Sequence, residues 1–327
     1  MIPFPRNSLL LAPMVGITNR AFRTFVHEMG DADWYTTEMA SAEAFLSGGR
    51  NESVYLDPAP CPPRTSVQFT ARSPDSLAAA CRAMSKVPAE RRPAGIDINM
   101  GCSAPHIKSS GRGAALLDNV PLAKEMVAAA RESWAGPLSA KIRLSVTKGE
   151  EGTIFLAKSL AEAGLDFLVV HARFDTQKFR RKADHRFAVS LAKELLIPVI
   201  ANGDISTAEE CRSLLASGNI HSLMIGRAAV REPWLFLRLH EELAGISVAS
   251  AQKHDLIAIG LRYIDLAETL LPPEWQKETC RRSFSYYADN VTFGHHLKFS
   301  LINAPSLDEM RIILKKYFDE VPQDRFL

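Results

Sequence analysis

The sequence lacks any run of 18 or more apolar residues, so no segment has the length that a membrane-spanning helix needs. Its five cysteines are odd in number, widely spaced and without a C-x-x-C pair, which argues against a disulfide framework or a zinc site. The amino-terminal segment has only a short apolar run and no export-type cleavage site. We therefore expect a cytoplasmic protein, without membrane attachment or a bound metal.

An excess of charge of one sign is also missing. Lysine and arginine total 39 against 37 aspartate and glutamate, a formal net charge of +2. Any polyanionic partner must therefore be bound by a local basic surface rather than by the bulk field of the protein. The 327 residues are 46% hydrophobic and 23% charged, which fits a globular chain of one large α/β domain with an appendage, or of two ordinary domains.

Short β-prone apolar runs alternate along the chain with stretches of helical periodicity. Eight such runs occur, at residues 9–11, 34–37, 65–69, 95–99, 139–143, 167–171, 198–201 and 222–225. Helix-start signals lie between them, such as Ser73 before Pro74 and a capping box of Ser206 and Glu209. Eight β–α units over about 240 positions predict a (β/α)8 TIM barrel, with a doubly wound sheet as the alternative.

Beyond residue 254 the strand alternation stops and helical stretches predominate, at 256–270, 277–290 and 307–318. The predicted fold class is therefore α/β, with a TIM barrel followed by a smaller all-helical domain. Small residues cluster between Ala244 and Ala251, so we predict a barrel domain of residues 1–244 and a helical domain of residues 245–327.

Polar or special residues end nearly every predicted strand. In a TIM barrel the carboxyl ends of the strands meet at one rim, called the mouth below, where active sites lie. At any single position the alternative is that the polar side chain only forms hydrogen bonds with backbone groups of the following loop. The residues are Pro13, Glu38, Gln68, Asn99, Lys141, His171, Asn202 and the pair Gly226 and Arg227.

Three of the residues near the mouth suggest reaction chemistry. Cys102 lies in a loop after the fourth strand, where a thiol could act as a nucleophile or a proton donor. Lys141 and His171 end the fifth and sixth strands and should point at the centre of the mouth. A lysine beside a conjugated ring can stabilise negative charge on that ring, although a structural ion pair is an equal alternative for Lys141.

A phosphate site is predicted after the last two strands. The tripeptide Asn202-Gly203-Asp204 follows the seventh strand, and Gly226-Arg227 follows the eighth. Glycine lets backbone N–H groups approach a ligand, and arginine adds a forked cation. A phosphorylated cofactor is implied, although a turn after a strand favours glycine in any case.

A basic run follows the sixth strand, on the same side of the barrel as the mouth. It could contact the backbone phosphates of a nucleic acid, although a solvated charged loop is the simpler explanation from charge alone. The run consists of Lys178, Phe179, Arg180, Arg181 and Lys182.

Seven motifs stand in a fixed order along the predicted barrel. They are L-A-P-M-V-G-I-T at 11–18, Asn99-x-x-Cys102, G-R-G-A-A-L-L at 111–117, K-I-R at 141–143, V-H-A-R at 170–173, A-N-G-D-I at 201–205 and M-I-G-R-A at 224–228. Together they resemble the dihydrouridine synthase family over the whole barrel. The segment from Ser285 to Gly294 is similar to the tRNA-binding domain of that family.

The resemblance implies an enzyme that uses FMN and NADPH to reduce particular uridines of tRNA to 5,6-dihydrouridine. It implies a hydride from flavin N5 to C6 and a proton from Cys102 to C5, with tRNA bound by the helical domain and no obligate protein partner. We expect a monomer. The base and RNA contacts would come from Asn99, Arg173, Lys178, Arg180 and Arg181. The FMN contacts would come from Pro13, Met14, Val15, Gln68, Lys141, His171, Asn202, Gly203, Asp204, Gly226 and Arg227.

One position departs from the family pattern. The family usually has proline directly after the cysteine, whereas Ser103 stands there and the proline is at Pro105, which relaxes φ beside the loop. Two other functions stay open. A flavin barrel acting on a small molecule such as a dihydropyrimidine would not need the helical domain. A non-catalytic RNA-binding protein would not need Cys102.

Overall fold

The computed structural model describes residues 2–177, 181–246 and 253–327. Within them, no helix is both long and apolar enough to cross a membrane. The strands are β1 (Leu9–Leu11), β2 (Tyr35–Ser41), β3 (Thr65–Thr70), β4 (Gly95–Met100), β5 (Leu138–Leu144), β6 (Phe167–Phe174), β7 (Val199–Asn202) and β8 (Ile220–Ile225). The helices are α1 (Arg20–Met29), α2 (Ala42–Leu46), α3 (Glu52–Tyr55), α4 (Pro74–Ser85), α5 (Pro105–Lys108), α6 (Val120–Ser133), α7 (Gly149–Glu162), α8 (His185–Glu194), α9 (Ala208–Ala216), α10 (Arg227–Arg231), α11 (Leu235–Leu243), α12 (Leu256–Leu270), α13 (Pro273–Tyr287), α14 (Gly294–Asn303) and α15 (Leu307–Glu320).

The eight strands form one parallel sheet in the order β1-β8-β7-β6-β5-β4-β3-β2. Backbone hydrogen bonds close this sheet between its two ends. Leu11 N donates to Trp34 O at 2.8 Å, and Asp33 N donates to Leu9 O at 3.0 Å. The TIM barrel predicted from the spacing is confirmed, and the doubly wound alternative is wrong.

An aromatic cluster fills the amino-terminal end of the barrel. The ring of Phe4 lies 5.5 Å from Trp34 and 5.3 Å from Phe167, measured between centroids, and all three side chains are buried. Trp34 precedes β2 and Phe167 begins β6, so the cluster lies at the end opposite the mouth.

The helices after β8 form a second compact unit that also includes a segment from early in the chain. The first unit comprises residues up to Met14 together with Asp33–Gly226, and the second comprises Val15–Ala32 and Arg227–Leu327. This division differs from the boundary that we predicted after residue 244.

Contacts of α1 explain the difference. Phe22 and Phe25 lie 6.0 and 5.0 Å from the ring of Tyr263 in α12, and Arg262 Nη2 pairs with Glu28 Oε1 at 2.6 Å. Because α1 buries its aromatic side chains against α12, it belongs with the carboxyl-terminal helices although it follows β1 in the chain.

The start of α9 corrects one sequence prediction. The capping box is formed by Thr207 and Glu210, not by Ser206 and Glu209. Thr207 Oγ1 accepts from Glu210 N at 3.2 Å, and Glu210 Oε2 accepts from Thr207 N at 3.0 Å. Both residue pairs have the required spacing, and the helix begins one residue later than the sequence pattern suggested.

Thr207→Ala removes the side-chain acceptor for the third helical N–H, so it should lower the free energy of unfolding by about 1 kcal/mol. Ser206→Ala is the matched control, since Ser206 precedes the N-cap and its hydroxyl donates to Glu210 Oε2 at 3.3 Å. Urea unfolding at equilibrium measures both changes. An equal or larger loss for Ser206→Ala would contradict the assignment of Thr207 as the cap.

Candidate active site at the carboxyl ends of the strands

Polar side chains from β3, β4 and β5 meet inside the barrel. Asp97 Oδ2 accepts from Gln68 Nε2 at 2.7 Å, and Asp97 Oδ1 accepts from Ser139 Oγ at 2.6 Å. Asn99 Nδ2 donates to Gln68 Oε1 at 2.9 Å. Burial raises the pKa of Asp97, while the bonds from Ser139 and Gln68 and the charge of Lys141 oppose this rise. The predicted site residues Gln68 and Asn99 are therefore in direct contact.

The loop that carries Cys102 is held on both sides of that residue. Cys102 N donates to Asn99 Oδ1 at 3.0 Å, and Ala114 N donates to Cys102 O at 2.9 Å. Gly113 has a φ of +58°, and a Cβ there would lie 2.6 Å from Cys102 O, so only glycine fits. The thiol is partly exposed. The backbone of Cys102 is thus fixed while its side chain stays accessible.

The segment after Cys102 begins the short helix α5 at Pro105, which occupies its first position. Lys108, at the end of α5, donates from Nζ to Asp175 Oδ2 at 2.6 Å. Val146 N donates to Asp175 Oδ1 at 3.1 Å. The buried Asp175 therefore connects the loops that follow β4, β5 and β6. His106, the other titratable side chain near Cys102 in sequence, is exposed.

Lys141 lies beside Asn99 in the pairing of β4 with β5. Burial, aided by the charge of Arg143, lowers the pKa of Lys141 to about 7, while Asp97 and Cys102 act in the opposite direction. Within the described residues, Lys141 Nζ forms no hydrogen bond or ion pair. The structural ion pair that we weighed for Lys141 is therefore not seen there, and the ammonium group can serve a bound ligand.

A second polar group lies at the ends of β6 and β7. Arg173 Nη1 contacts His171 Nε2 at 3.0 Å, and Arg173 also bonds the carboxylate of Asp204 and the carbonyl of Arg181. An arginine can only donate, so His171 Nε2 accepts and the ring proton lies on Nδ1. Asp204 also accepts from Ala183 N at 2.9 Å. Arg173, predicted to hold the base, thus also organises this loop.

The predicted phosphate loops follow β7 and β8. Gly203 has a φ of +118°, and its carbonyl bonds His185 Nε2 at 2.8 Å. Asn202 Nδ2 donates to a carbonyl of β8 at 2.8 Å. A Cβ added at Gly226 would have no closer neighbour than Met14 Sδ, at 3.5 Å. A Cβ at Gly226 would therefore make ordinary van der Waals contacts, so the surrounding chain does not itself require glycine there.

The remaining predicted residues are placed as follows. Pro13 and Met14 end the first segment of the barrel unit, whereas Val15 and Arg227 belong to the second unit. Arg227 is the first residue of α10. Lys178 and Arg180 lie outside the described residues, and Arg181 is exposed.

The family model described as Dihydrouridine synthase (Dus) matches residues 10–268, which is most of the chain. The chain belongs to the dihydrouridine synthase family. This confirms the family identified from the seven motifs and the prediction that the protein is an enzyme, an oxidoreductase.

Curated relatives agree with this assignment, and a solved structure shares the fold. This dihydrouridine synthase is 33% identical over 238 residues to tRNA-dihydrouridine synthase B of Pseudomonas putida, covering 73% of this chain and 69% of the relative. The protein of that name from Pseudomonas aeruginosa is 27% identical over 315 residues, 96% of this chain and 93% of the relative. The barrel fold alone is shared with the protein in "Crystal structure of TcOYE with pHBA", with a TM-score of 0.50, 9% identity, and coverage of 74% and 92% of the two chains.

Sequence reasoning missed several buried polar side chains that lie near the predicted site residues of this dihydrouridine synthase. Asp97 and Ser139 each stand two residues before a predicted site residue, Asn99 and Lys141 respectively. Since alternate residues of a strand share a face, this spacing was a signal that could have found them. Asp175 had no such signal, because its partners Lys108 and Val146 come from other loops.

The lowered pKa of Lys141 makes stability depend on pH. Below pH 7 the lysine is charged in both the folded and the unfolded chain, so folding carries the full cost of burying the ammonium. Between pH 7 and about 10.4 only the unfolded chain binds that proton, so this contribution to stability rises with pH. Lys141 is half-buried, so Lys141→Met removes a partly desolvated charge and should raise the free energy of unfolding more at pH 6 than at pH 9.

Urea unfolding of the ligand-free dihydrouridine synthase at both pH values measures this difference. Lys193→Met, which replaces an exposed lysine on α8, is the control and should show no such dependence on pH. A gain for Lys141→Met that is the same at both pH values would contradict the burial of the charge.

Proposed function

We propose that this enzyme reduces the C5–C6 double bond of uridines in tRNA to 5,6-dihydrouridine, with FMN bound at the mouth and NADPH as the reductant. The names of the curated relatives support uridine in tRNA as the substrate. The structural observation that carries the proposal is the partly exposed thiol of Cys102, in an anchored loop within electrostatic reach of the Lys141 ammonium.

The residues at the mouth fit a flavin mononucleotide. A lysine ammonium that has no partner among the described residues suits a ring that accepts electrons. The lack of a side chain at Gly226 suits the approach of a phosphate to the backbone. We assign to FMN the residues Pro13, Met14, Val15, Gln68, Lys141, His171, Asn202, Gly203, Asp204, Gly226 and Arg227.

Reduction of the uridine adds a hydride at C6 and a proton at C5. When bound, FMN supplies the hydride, with the two electrons coming from NADPH. Cys102 Sγ donates the proton to C5, and the thiolate that results takes up a proton from solvent. Asn99 holds the backbone of Cys102 through its bond to Cys102 N. The hydroxyl of Ser103 is a far weaker acid than a thiol and does not replace it.

We also propose that tRNA is held by the helical domain, residues 245–327, and by the basic run at 178–182. Arg181 and Lys182 are exposed in the described part of this run, so their charges are available to backbone phosphates. Such contacts position the RNA without reading its sequence. The target uridine has to leave its stack to enter the mouth, because its C5 and C6 atoms are otherwise covered by neighbouring bases.

Cys102→Ala should lower the rate of dihydrouridine formation by about 10²–10⁴-fold, because it removes the proton donor. NADPH oxidation without tRNA should be unchanged, since no proton transfer to uridine is involved. Cys61→Ala is the matched control, because Cys61 is the other partly exposed cysteine and precedes β3 at the opposite end of the barrel. Nucleoside analysis of tRNA and absorbance of NADPH measure the two rates.

Wild-type turnover by Cys102→Ala would show that the proton comes from elsewhere, with His106 the next residue to test. NADPH oxidation stimulated by uracil but not by tRNA would favour the small-molecule alternative. A colourless protein that gains no flavin absorbance on reconstitution with FMN would contradict the flavin assignment.

The double variant Arg181→Gln with Lys182→Gln should weaken tRNA binding and reduce the slope of log Kd against log salt by about 1–2, because two phosphate contacts are lost. Lys86→Gln with Lys193→Gln removes the same charge from exposed positions near the carboxyl ends of α4 and α8, away from the mouth. Filter binding over a series of salt concentrations gives both slopes. Equal slopes for the two double variants would exclude this run from the RNA contact.

A further inference from the structure

We infer that Asp97 is a positioning residue, whose buried carboxylate sets the orientation of the Gln68 and Asn99 amides and, through them, of the loop that carries Cys102. The inference rests on the proposed role of Cys102 as the proton donor. Asp97 itself lies two residues before Asn99 on β4 and reaches the loop through these amides.

The hydrogen bonds between the loop and Asp97 all run in one direction. Cys102 N donates to Asn99 Oδ1 at 3.0 Å, Asn99 Nδ2 donates to Gln68 Oε1 at 2.9 Å, and Gln68 Nε2 donates to Asp97 Oδ2 at 2.7 Å. Every donor in this chain points towards the carboxylate, and every acceptor points towards the loop.

This direction follows from the two groups that end the row of hydrogen bonds, the backbone N–H of Cys102 and the carboxylate of Asp97. A backbone N–H can only donate, and a carboxylate can only accept, whereas each amide between them can turn by 180° and exchange its donor with its acceptor. Turning either amide would bring two donors or two acceptors face to face. The carboxylate of Asp97 therefore permits one orientation of Gln68, and Gln68 permits one orientation of Asn99.

Water is poorly placed to repair a broken link. Gln68 is 1% exposed, Asp97 3% and Asn99 9%. In such a buried interior a donor that loses its acceptor cannot be paired by water, and leaving it unpaired is costly. The amide side chains therefore reorient. A turned Asn99 would present its NH2 group to Cys102 N and to Gly101 N, which donates to the same Asn99 oxygen at 3.3 Å. The loop would then lose its anchor on the amino side of Cys102.

Ser139 provides an internal control. Its hydroxyl donates to Asp97 Oδ1 at 2.6 Å, the carboxylate oxygen that does not face Gln68. Ser139→Ala therefore disturbs the same buried carboxylate without breaking the chain to Cys102. A role of Asp97 in stability alone would make Ser139→Ala and Asp97→Ala resemble each other, whereas a positioning role separates them.

Asp97→Asn is the conservative variant. Its side-chain oxygen can accept from Gln68 Nε2 as before, while its NH2 group donates to Ser139 Oγ, since a hydroxyl both donates and accepts. The chain to Cys102 then keeps its direction. We expect Asp97→Asn to rescue the function that Asp97→Ala loses.

Two readouts on the FMN-saturated enzyme test these variants. The first is dihydrouridine formation in tRNA, compared with NADPH oxidation in the absence of tRNA. For Asp97→Ala we expect the former to fall by about 10–100-fold, as displaced catalytic groups do, and to fall by more than the latter, which involves Gln68 but not the loop of Cys102. The second is the rate of Cys102 alkylation by iodoacetamide, followed by peptide mass, which should rise for Asp97→Ala as the loop is released. Asp97→Asn and Ser139→Ala should match wild type in both.

If Asp97→Ala does not fold, Asp97→Leu replaces it in both measurements, because leucine fills the space without offering a hydrogen-bond acceptor. Wild-type turnover and alkylation in the folded variant, or equal losses in Ser139→Ala, would overturn the inference. Failure of both Asp97→Ala and Asp97→Leu to fold would also overturn it, since Asp97 would then act through stability. The alkylation rate reports the position of the loop whether or not Cys102 is the proton donor. A Cys102→Ala enzyme that still makes dihydrouridine would refute the proton donor, and the positioning of the loop would still be tested by alkylation.

Discussion

The arrangement of the site depends on the parallel closure of the barrel. β1 has only three residues, yet it pairs with β8 on one side and bonds to Asp33 and Trp34 on the other. Because every strand then runs in the same direction, every following loop begins at the same rim. The opposite rim is filled by Phe4, Trp34 and Phe167. The same strands thus carry an apolar plug at one end and reactive side chains at the other.

A polar side chain inside a barrel lowers the stability of the fold unless it is hydrogen-bonded. Each buried polar group without a partner costs about 1–3 kcal/mol. Most of the polar interior here is matched, as in Gln68 with Asp97 or Arg173 with Asp204. Lys141 differs, since its ammonium has no hydrogen bond among the described residues and its pKa falls to about 7. The paired groups hold loops in place, and the unmatched lysine is the group that a ligand would stabilise.

The fold was predictable because its signals are local. Apolar runs, polar strand ends and glycine turns repeat with the β–α unit, and the family motifs fall on the ends of those strands. The unit boundary was not predictable, because the contact of α1 with α12 joins distant parts of the chain and leaves no local pattern. Asp97 was missed for a related reason. Its alternation with Asn99 is visible in the sequence, but its bond to Gln68 depends on how β3 and β4 are paired.

The second unit draws on two segments that a ribosome makes at very different times. Glu28 of α1 and its partner Arg262 are 234 residues apart. At 5–20 residues per second, roughly 10–50 s pass between their emergence from the exit tunnel. During that interval Phe22 and Phe25 have no Tyr263 to cover them, while the barrel strands are already being synthesised. The aromatic side chains of α1 therefore stay without their α12 partner until synthesis has reached residues 256–270.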